Sequence, residues 1–290
     1  MPDGIIIVDK PQGWTSMDVC AKLRRVMGEK RVGHAGTLDP MATGVLPVFV
    51  GRATRAVEFA ERGAKEYLAT LRLGQDTDTQ DVTGTVLGER PVHVTRAELE
   101  KVLPQFTGDI LQVPPMYSAL KRDGKKLYEL ARQGKTVERA PRPITIFALE
   151  VLEQASGTDY LLRVRCSKGT YIRTLCHDIG AALGCGGTMA TLRRTSAAGF
   201  TLSQAVTMER IIGAEDAAGL LLPVDAYFSH YPALAISGPA ERRCRNGNPF
   251  LSPGEDGTFR VYGETGEFLM LGERKGGTMT TIKSFFAPQS

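Results

Sequence analysis

One stretch of the chain gathers residue types that can do chemistry. The segment Arg31–Pro47 reads Arg-Val-Gly-His-Ala-Gly-Thr-Leu-Asp-Pro-Met-Ala-Thr-Gly-Val-Leu-Pro. Asp39 precedes a proline, which biases its backbone away from the helical region. Its neighbours Leu38, Met41, Val45 and Leu46 are apolar. A carboxylate in that setting is either a turn former that bonds nearby backbone N–H groups or a working group in a dry pocket.

Other chemistries find less support. His34, His93, His177 and His230 are scattered, and no Cys-x2-Cys pair occurs. Cys176 and His177 are adjacent, and helical neighbours point apart, so they do not converge on one ion. No metal site is expected. Neither Gly-x-Gly-x-x-Gly nor Gly-x4-Gly-Lys-Ser/Thr is present, so cofactor-free chemistry is the default. Gly33-His34-Ala35-Gly36 has the Gly-x-x-Gly form of an RNA-backbone clamp, but the residues after it do not begin the helix such a clamp requires.

The elements around Arg31–Pro47 follow from pattern. Ile5-Ile6-Ile7-Val8 is a short apolar strand ending in the turn cluster Asp9–Gly13. Ser16 is placed to cap a helix reaching about Met27. Val45–Val50 is a second apolar strand. Tyr67, Ala69, Leu71 and Leu73 alternate with more polar residues, the pattern of a strand with one buried face. The loop Gly74–Asp81 is acidic and polar. Thr95 and Glu98 form a capping box for a helix over Arg96–Leu103. Lys125–Gln133 reads as a short basic helix. Ile144–Leu152 and Tyr160–Cys166 read as paired strands. Thr170–Leu183 reads as a helix whose stripe Ile172, Leu175, Cys176, Ile179 and Leu183 is apolar, with Arg173 and His177 on another face. Leu192–Phe200 reads as a strand. After His230 the chain turns to short strands and frequent glycine and proline, which suggests a small β-rich domain of roughly sixty residues.

Bulk composition excludes several classes. The chain has 290 residues, 42% hydrophobic and 23% charged. Those are ordinary globular values, so disorder is not expected. No apolar run is long enough for a membrane span. The start Met1-Pro2-Asp3-Gly4 lacks signal-peptide order, and five cysteines make no disulfide framework. A reduced, cytoplasmic protein is expected. With 36 basic and 32 acidic side chains the net charge is only +4. Its distribution says more. Ala21–Ala35 carries net +4, Lys121–Pro143 net +5 and Tyr160–Thr195 net +5, which leaves −10 for the remainder. Segregated positive charge is the footprint of a phosphate-binding face, although each window alone is also what a solvated helix face looks like.

Six motifs in order resemble the TruB family of tRNA pseudouridine synthases. Gly33–Pro47 resembles the family's catalytic signature and Asp9–Ser16 its N-terminal motif. Lys65-Glu66-Tyr67 with Gly74–Gly84 resembles the tyrosine motif. Pro114–Lys121 opens what resembles its mobile RNA-gripping insertion, about 121–143. Cys166–Leu175 resembles the arginine motif and Met189–Thr195 the last core motif. Together they span about the first 200 residues.

The resemblance implies an α+β fold: a mixed, largely antiparallel curved sheet flanked by helices over 1–230, with a small PUA-like RNA-binding domain over 231–290. It implies isomerisation of uridine 55 in the tRNA T-loop, with the base flipped out of the stack. Asp39 is then the essential carboxylate, and attack at C1′, attack at C6 and elimination through a ribose proton all remain open to it. One carboxylate suffices, where glycoside hydrolysis generally employs two. Arg173 pairs with that acid and keeps it ionised. Tyr67 stacks on the base and handles the proton at C5. His34 engages flipped-out nucleotides, Tyr171 and Leu192 wall the uracil pocket, and Lys10 supports the loop or touches RNA. Lys121, Lys125, Lys126, Arg193 and Arg194 grip phosphates, which position RNA without reading its sequence. The implied partner is the tRNA T-arm, with no cofactor, no membrane, no obligate protein partner and a monomeric state. A non-catalytic RNA-binding or RNA-folding protein on the same scaffold is the alternative, and a guide-RNA-dependent relative a third.

Overall fold

The computed structural model describes residues 2–122 and 124–287, so position 123 of the expected insertion and 288–290 of the expected small domain lie outside the described residues. Among the described residues, ten strands form one sheet. Across its main path the strands run Val206–Thr207, Gly4–Lys10, Thr43–Val50, Gly187–Ala197, Lys65–Leu73, Asp159–Cys166, Arg142–Gln154 and Gly108–Gln112. Val206–Thr207 pairs parallel with the Gly4 strand, and Thr43–Val50 pairs parallel with Gly187–Ala197. The other neighbours on this path are antiparallel. Bulges interrupt the ladders of Gly187–Ala197 and Arg142–Gln154, and bulges bend a strand and increase its twist. The sheet is thus the mixed, mostly antiparallel and curved one expected.

Local pattern explains the strands. Gly4–Val8 is buried on both faces, as a continuous apolar run requires. Lys65–Leu73 alternates, with Lys65, Tyr67, Ala69, Leu71 and Leu73 inward. The Thr95–Glu98 capping box opens the helix Arg96–Val102 as read. Two helix readings shift. Thr15, not Ser16, caps the first helix, forming a box with Asp18, and Ser16 begins Ser16–Met27 as a buried residue. Lys125 and Lys126 belong to a small hairpin with Lys121 and Arg122, and the helix behind it is Leu127–Arg132.

Five strands from Ala233 to Ser284 form a second sheet, in the order Ala233–Ala235, Gly257–Tyr262, Phe268–Lys275, Thr278–Ser284 and Phe250–Leu251. The helix Gly238–Arg245 accompanies it and was not anticipated. This sheet is joined to the large one by interlocked rings. Phe228 lies 5.6 Å from Phe59, 5.6 Å from Phe285 and 6.1 Å from Phe268, centroid to centroid. Ile5, Ile7, Phe49 and Leu271 share that cluster. No helix among the described residues is long and apolar enough to cross a membrane, and all five cysteines are free and buried.

The tightest crossing lies where Thr43–Val50 meets Gly187–Ala197. Gly44 has φ +100°, and a Cβ there would sit 2.2 Å from the carbonyl oxygen of Arg194. Neither the dihedral nor the space admits a side chain. Gly44→Ala is expected to cost on the order of 3 kcal/mol; urea unfolding measures it, and a loss below about 0.5 kcal/mol would show that the crossing relaxes freely.

Candidate active site

The loop carrying Asp39 is built before its side chain is used. Ala42 N–H donates to the Asp39 carbonyl at 3.0 Å, with Pro40 in the second position of that turn. Ser16 Oγ accepts from Leu38 N–H at 2.9 Å and donates back to Leu38 O at 3.2 Å. Gly13 N–H donates to Pro40 O at 2.8 Å. Lys10 Nζ donates to Pro11 O, Trp14 O and Pro40 O at 2.9, 2.6 and 3.3 Å. Asp39 therefore fits both readings: its backbone makes the turn while its side chain faces elsewhere. Lys10 requires a correction. It is 0% exposed and its ammonium is committed to three carbonyls, so it supports the loop and does not touch RNA. Burial, opposed by the nearby Asp39 charge, pushes its pKa down to about 8.

Arg173 supplies the partner for Asp39. Its Nε lies 3.0 Å from Asp39 Oδ2, and Nη1 lies 3.5 Å from Asp81 Oδ2. Nη1 also donates to Thr79 O at 3.1 Å and Nη2 to Tyr117 O at 2.9 Å. The Arg173 residue is 6% exposed and Asp81 4%, whereas the Asp39 side chain is 38% open. A guanidinium thus bridges a closed carboxylate and an open one. Burial raises the Asp39 pKa, Arg173 lowers it, and the Asp81 charge raises it again. Burial prevails, so Arg173 opposes the shift without cancelling it. Asp81 was missed in the sequence because it lies in a loop that reads as merely polar. Its Oδ1 accepts from Thr79 Oγ1 and Thr83 N–H at 2.9 and 3.0 Å, and that hydroxyl-flanked acid was the available signal.

The aromatic candidates converge on the same place. Tyr67 is buried on its strand, and the Asp39 charge reaches the phenols of both Tyr67 and Tyr171, whose pKa values burial raises. Tyr171 is fixed at the start of the helix Ile172–Ala182 by Gln112. Its N–H donates to Gln112 Oε1 at 2.9 Å and its carbonyl accepts from Gln112 Nε2 at 3.1 Å. Leu192 packs in one apolar cluster with Leu38, Ala42, Tyr67 and Ile172. Burial, and then the Arg194 charge, lower the His34 pKa, so its ring is neutral at neutral pH. A neutral imidazole has one N–H donor and one acceptor nitrogen and carries no charge.

The basic candidates separate. Lys121 and Lys125 are exposed and Lys126 half-buried on the insertion hairpin. Arg193 is half-exposed and pairs with Asp9 at 2.8 Å. Arg194 requires the second correction: it is 0% exposed, so it grips no phosphate. Two of the six cations in Tyr160–Thr195, Arg173 and Arg194, thus serve the interior. Among the described residues no group of three His, Cys, Asp or Glu side chains is placed to hold a metal ion.

Residues 24–172 match the family described as TruB family pseudouridylate synthase (N terminal domain). The chain belongs to the TruB family. Residues 173–229 match the tRNA pseudouridylate synthase B C-terminal domain. Among TruB relatives, the tRNA pseudouridine synthase B of Stutzerimonas stutzeri is 48% identical over 278 residues, covering 93% of this chain and 91% of that protein. That of Aromatoleum aromaticum is 47% identical over 282 residues, covering 96% and 91%. In a solved Cbf5-Nop10-Gar1 complex, one chain superimposes with a TM-score of 0.72 at 28% identity, covering 98% of this chain and 85% of that one. A chain of an H/ACA RNP bound to a substrate RNA containing 2′-deoxyuridine gives 0.72 at 26% identity, covering 98% and 86%. The α+β fold with a curved sheet and a β-rich end is therefore a pseudouridine synthase fold.

In this TruB chain the Asp39 carboxyl is expected to titrate above the ordinary aspartate range. Asp81→Asn removes a negative neighbour and a competitor for Arg173, so it should move that titration down. Carbon-13 NMR of labelled aspartate reads both; an unmoved Asp39 titration would show that Asp81 and Asp39 are electrostatically independent.

Proposed function

We propose that this chain, a tRNA pseudouridine synthase, acts on uridine 55 of the T-loop with Asp39 as the essential carboxylate. The observation that carries the reading is the row Asp81–Arg173–Asp39, in which only Asp39 is open enough to meet a nucleotide. Arg173 holds that carboxylate in place, and its own position is fixed by two carbonyls and a closed acid.

The reaction is an isomerisation. The N1–C1′ bond breaks, the base turns, and a C5–C1′ bond forms. The hydrogen leaves C5, and N1 ends protonated, so composition is unchanged. The target base must first leave the stack. Asp39 then attacks C1′ or C6, or removes a ribose proton. Tyr67 stacks on the base, Tyr171 and Leu192 exclude water beside it, and His34 meets the flipped-out loop nucleotides. Lys121, Lys125 and Lys126 on the 121–143 insertion, with Arg193, contact phosphates and set position, while the shape of the loop and its unstacked bases set choice. In this reading 1–230 is the catalytic domain, and 231–290 is a PUA-like unit that adds a supporting RNA contact. The enzyme works in the cytoplasm as a monomer, without cofactor or obligate protein partner.

T-arm RNA tritiated at C5 of uridine tests the reading. Purified protein alone should release tritium, and Asp39→Asn should abolish release while keeping RNA affinity. A folded preparation that binds the RNA without release would favour the non-catalytic alternative. Lys125→Ala with Lys126→Ala should weaken binding and flatten its salt dependence by about one to two units of log–log slope. An unchanged slope would make the hairpin a solvated face only.

A further inference from the structure

Arg194 carries a fixed charge with no exposure, and among the described residues no carboxylate pairs with it. Its Nε donates to Val45 O at 2.7 Å and its Nη2 to Gly36 O at 2.9 Å. Those carbonyls flank the loop that carries Asp39, so one guanidinium fixes both ends of it. Nη1 remains, buried and without a hydrogen-bond partner. Lys65, whose Nζ is committed to Glu61 O and Gly63 O, does not supply one.

Register shows what lies opposite. Arg194 and Tyr67 are direct partners across the antiparallel ladder of Gly187–Ala197 and Lys65–Leu73. Directly opposed side chains project to the same face. We propose that Arg194 is a positioning residue for Tyr67: with a base bound, its free Nη1 donates to Tyr67 Oη and turns the phenol's own hydrogen into the uracil pocket. Arginine is a donor only, so Oη must be the acceptor, and the hydroxyl proton has to point elsewhere. The contact without RNA falls short of hydrogen-bond geometry, yet after burial, which raises the phenol pKa, the Arg194 charge is the next influence and lowers it. A lysine keeps the charge but lacks the rigid fork that holds Gly36 O and Val45 O while serving a third group. This inference rests on the proposed role of the Tyr67 hydroxyl.

A double-mutant cycle on single-turnover rates of the full chain separates the two ideas. Arg194→Lys and Tyr67→Phe should each slow turnover at least tenfold, and Arg194→Lys should slow the Tyr67→Phe protein by less than about twofold further. T-arm affinity of Arg194→Lys should stay within about twofold, because Arg194 does not reach RNA. Independent, multiplying losses would overturn the coupling, and a parallel loss of affinity would make Arg194 a loop support alone. An unchanged rate in Tyr67→Phe would overturn the role of the hydroxyl itself. Nitrogen-15 NMR of labelled arginine keeps the contact testable should Arg194→Lys fold poorly. In the RNA-bound protein, Tyr67→Phe should shift the Arg194 Nη resonances, and unmoved resonances would overturn the proposal.

Discussion

The Arg173 guanidinium is held by three stretches of chain other than its own helix: the Asp39 loop, the Thr79–Asp81 turn and the segment at Tyr117. Hydrogen bonds from an ionised donor are the strong kind, and a buried guanidinium left without its acceptors is among the costlier defects a fold can carry. Satisfying Arg173 therefore fixes these stretches against one another. The Asp39 carboxylate inherits its position from that requirement. The helix Ile172–Ala182 adds a second link, since Thr174 Oγ1 donates to Gln80 Oε1 at 2.7 Å. One face of one helix organises loops that begin far apart in sequence.

The internal cations divide the work. Lys10 holds the loop from the first strand, Arg194 holds its two ends, and Arg173 orients the acid. Their charges are not cancelled one for one by buried acids. The result is a positive bias at the Asp39 loop, where Arg173 and Lys10 offset part of the burial penalty on the carboxylate. The same bias disfavours protonation of His34.

Features that depend on near neighbours were legible in the sequence. The alternation of Lys65–Leu73, the Thr95–Glu98 box and the apolar Gly4–Val8 strand follow from adjacent residues. Asp39 and Arg173 were reached through the motifs around them. What escaped depends on distant chain. Lys10 and Arg194 look like surface cations until the strands beside them are placed. Asp81 lies 92 positions from Arg173, and the flanking threonines mark it as hydrogen-bonded without showing that it is closed by a distant arginine. Ser16 looked like a cap because Thr15 beside it offers the same hydroxyl, and only the Leu38 backbone distinguishes them. The helix Gly238–Arg245 did carry a local sign, a proline at its first turn, among glycines that suggested turns instead.

The ring cluster at Phe228 sets how the two sheets are spaced. Phe59 belongs to the first sheet's surround, while Phe268 and Phe285 belong to the second sheet, and all three press on Phe228. Arg55 and Glu58 add polar ties to Ser284 and Lys283 across the same seam. Interdigitated aromatic packing has few alternative arrangements of equal energy. The span from the Asp39 pocket to the arginines of Gly238–Arg245 is then a property of the fold and not of a hinge.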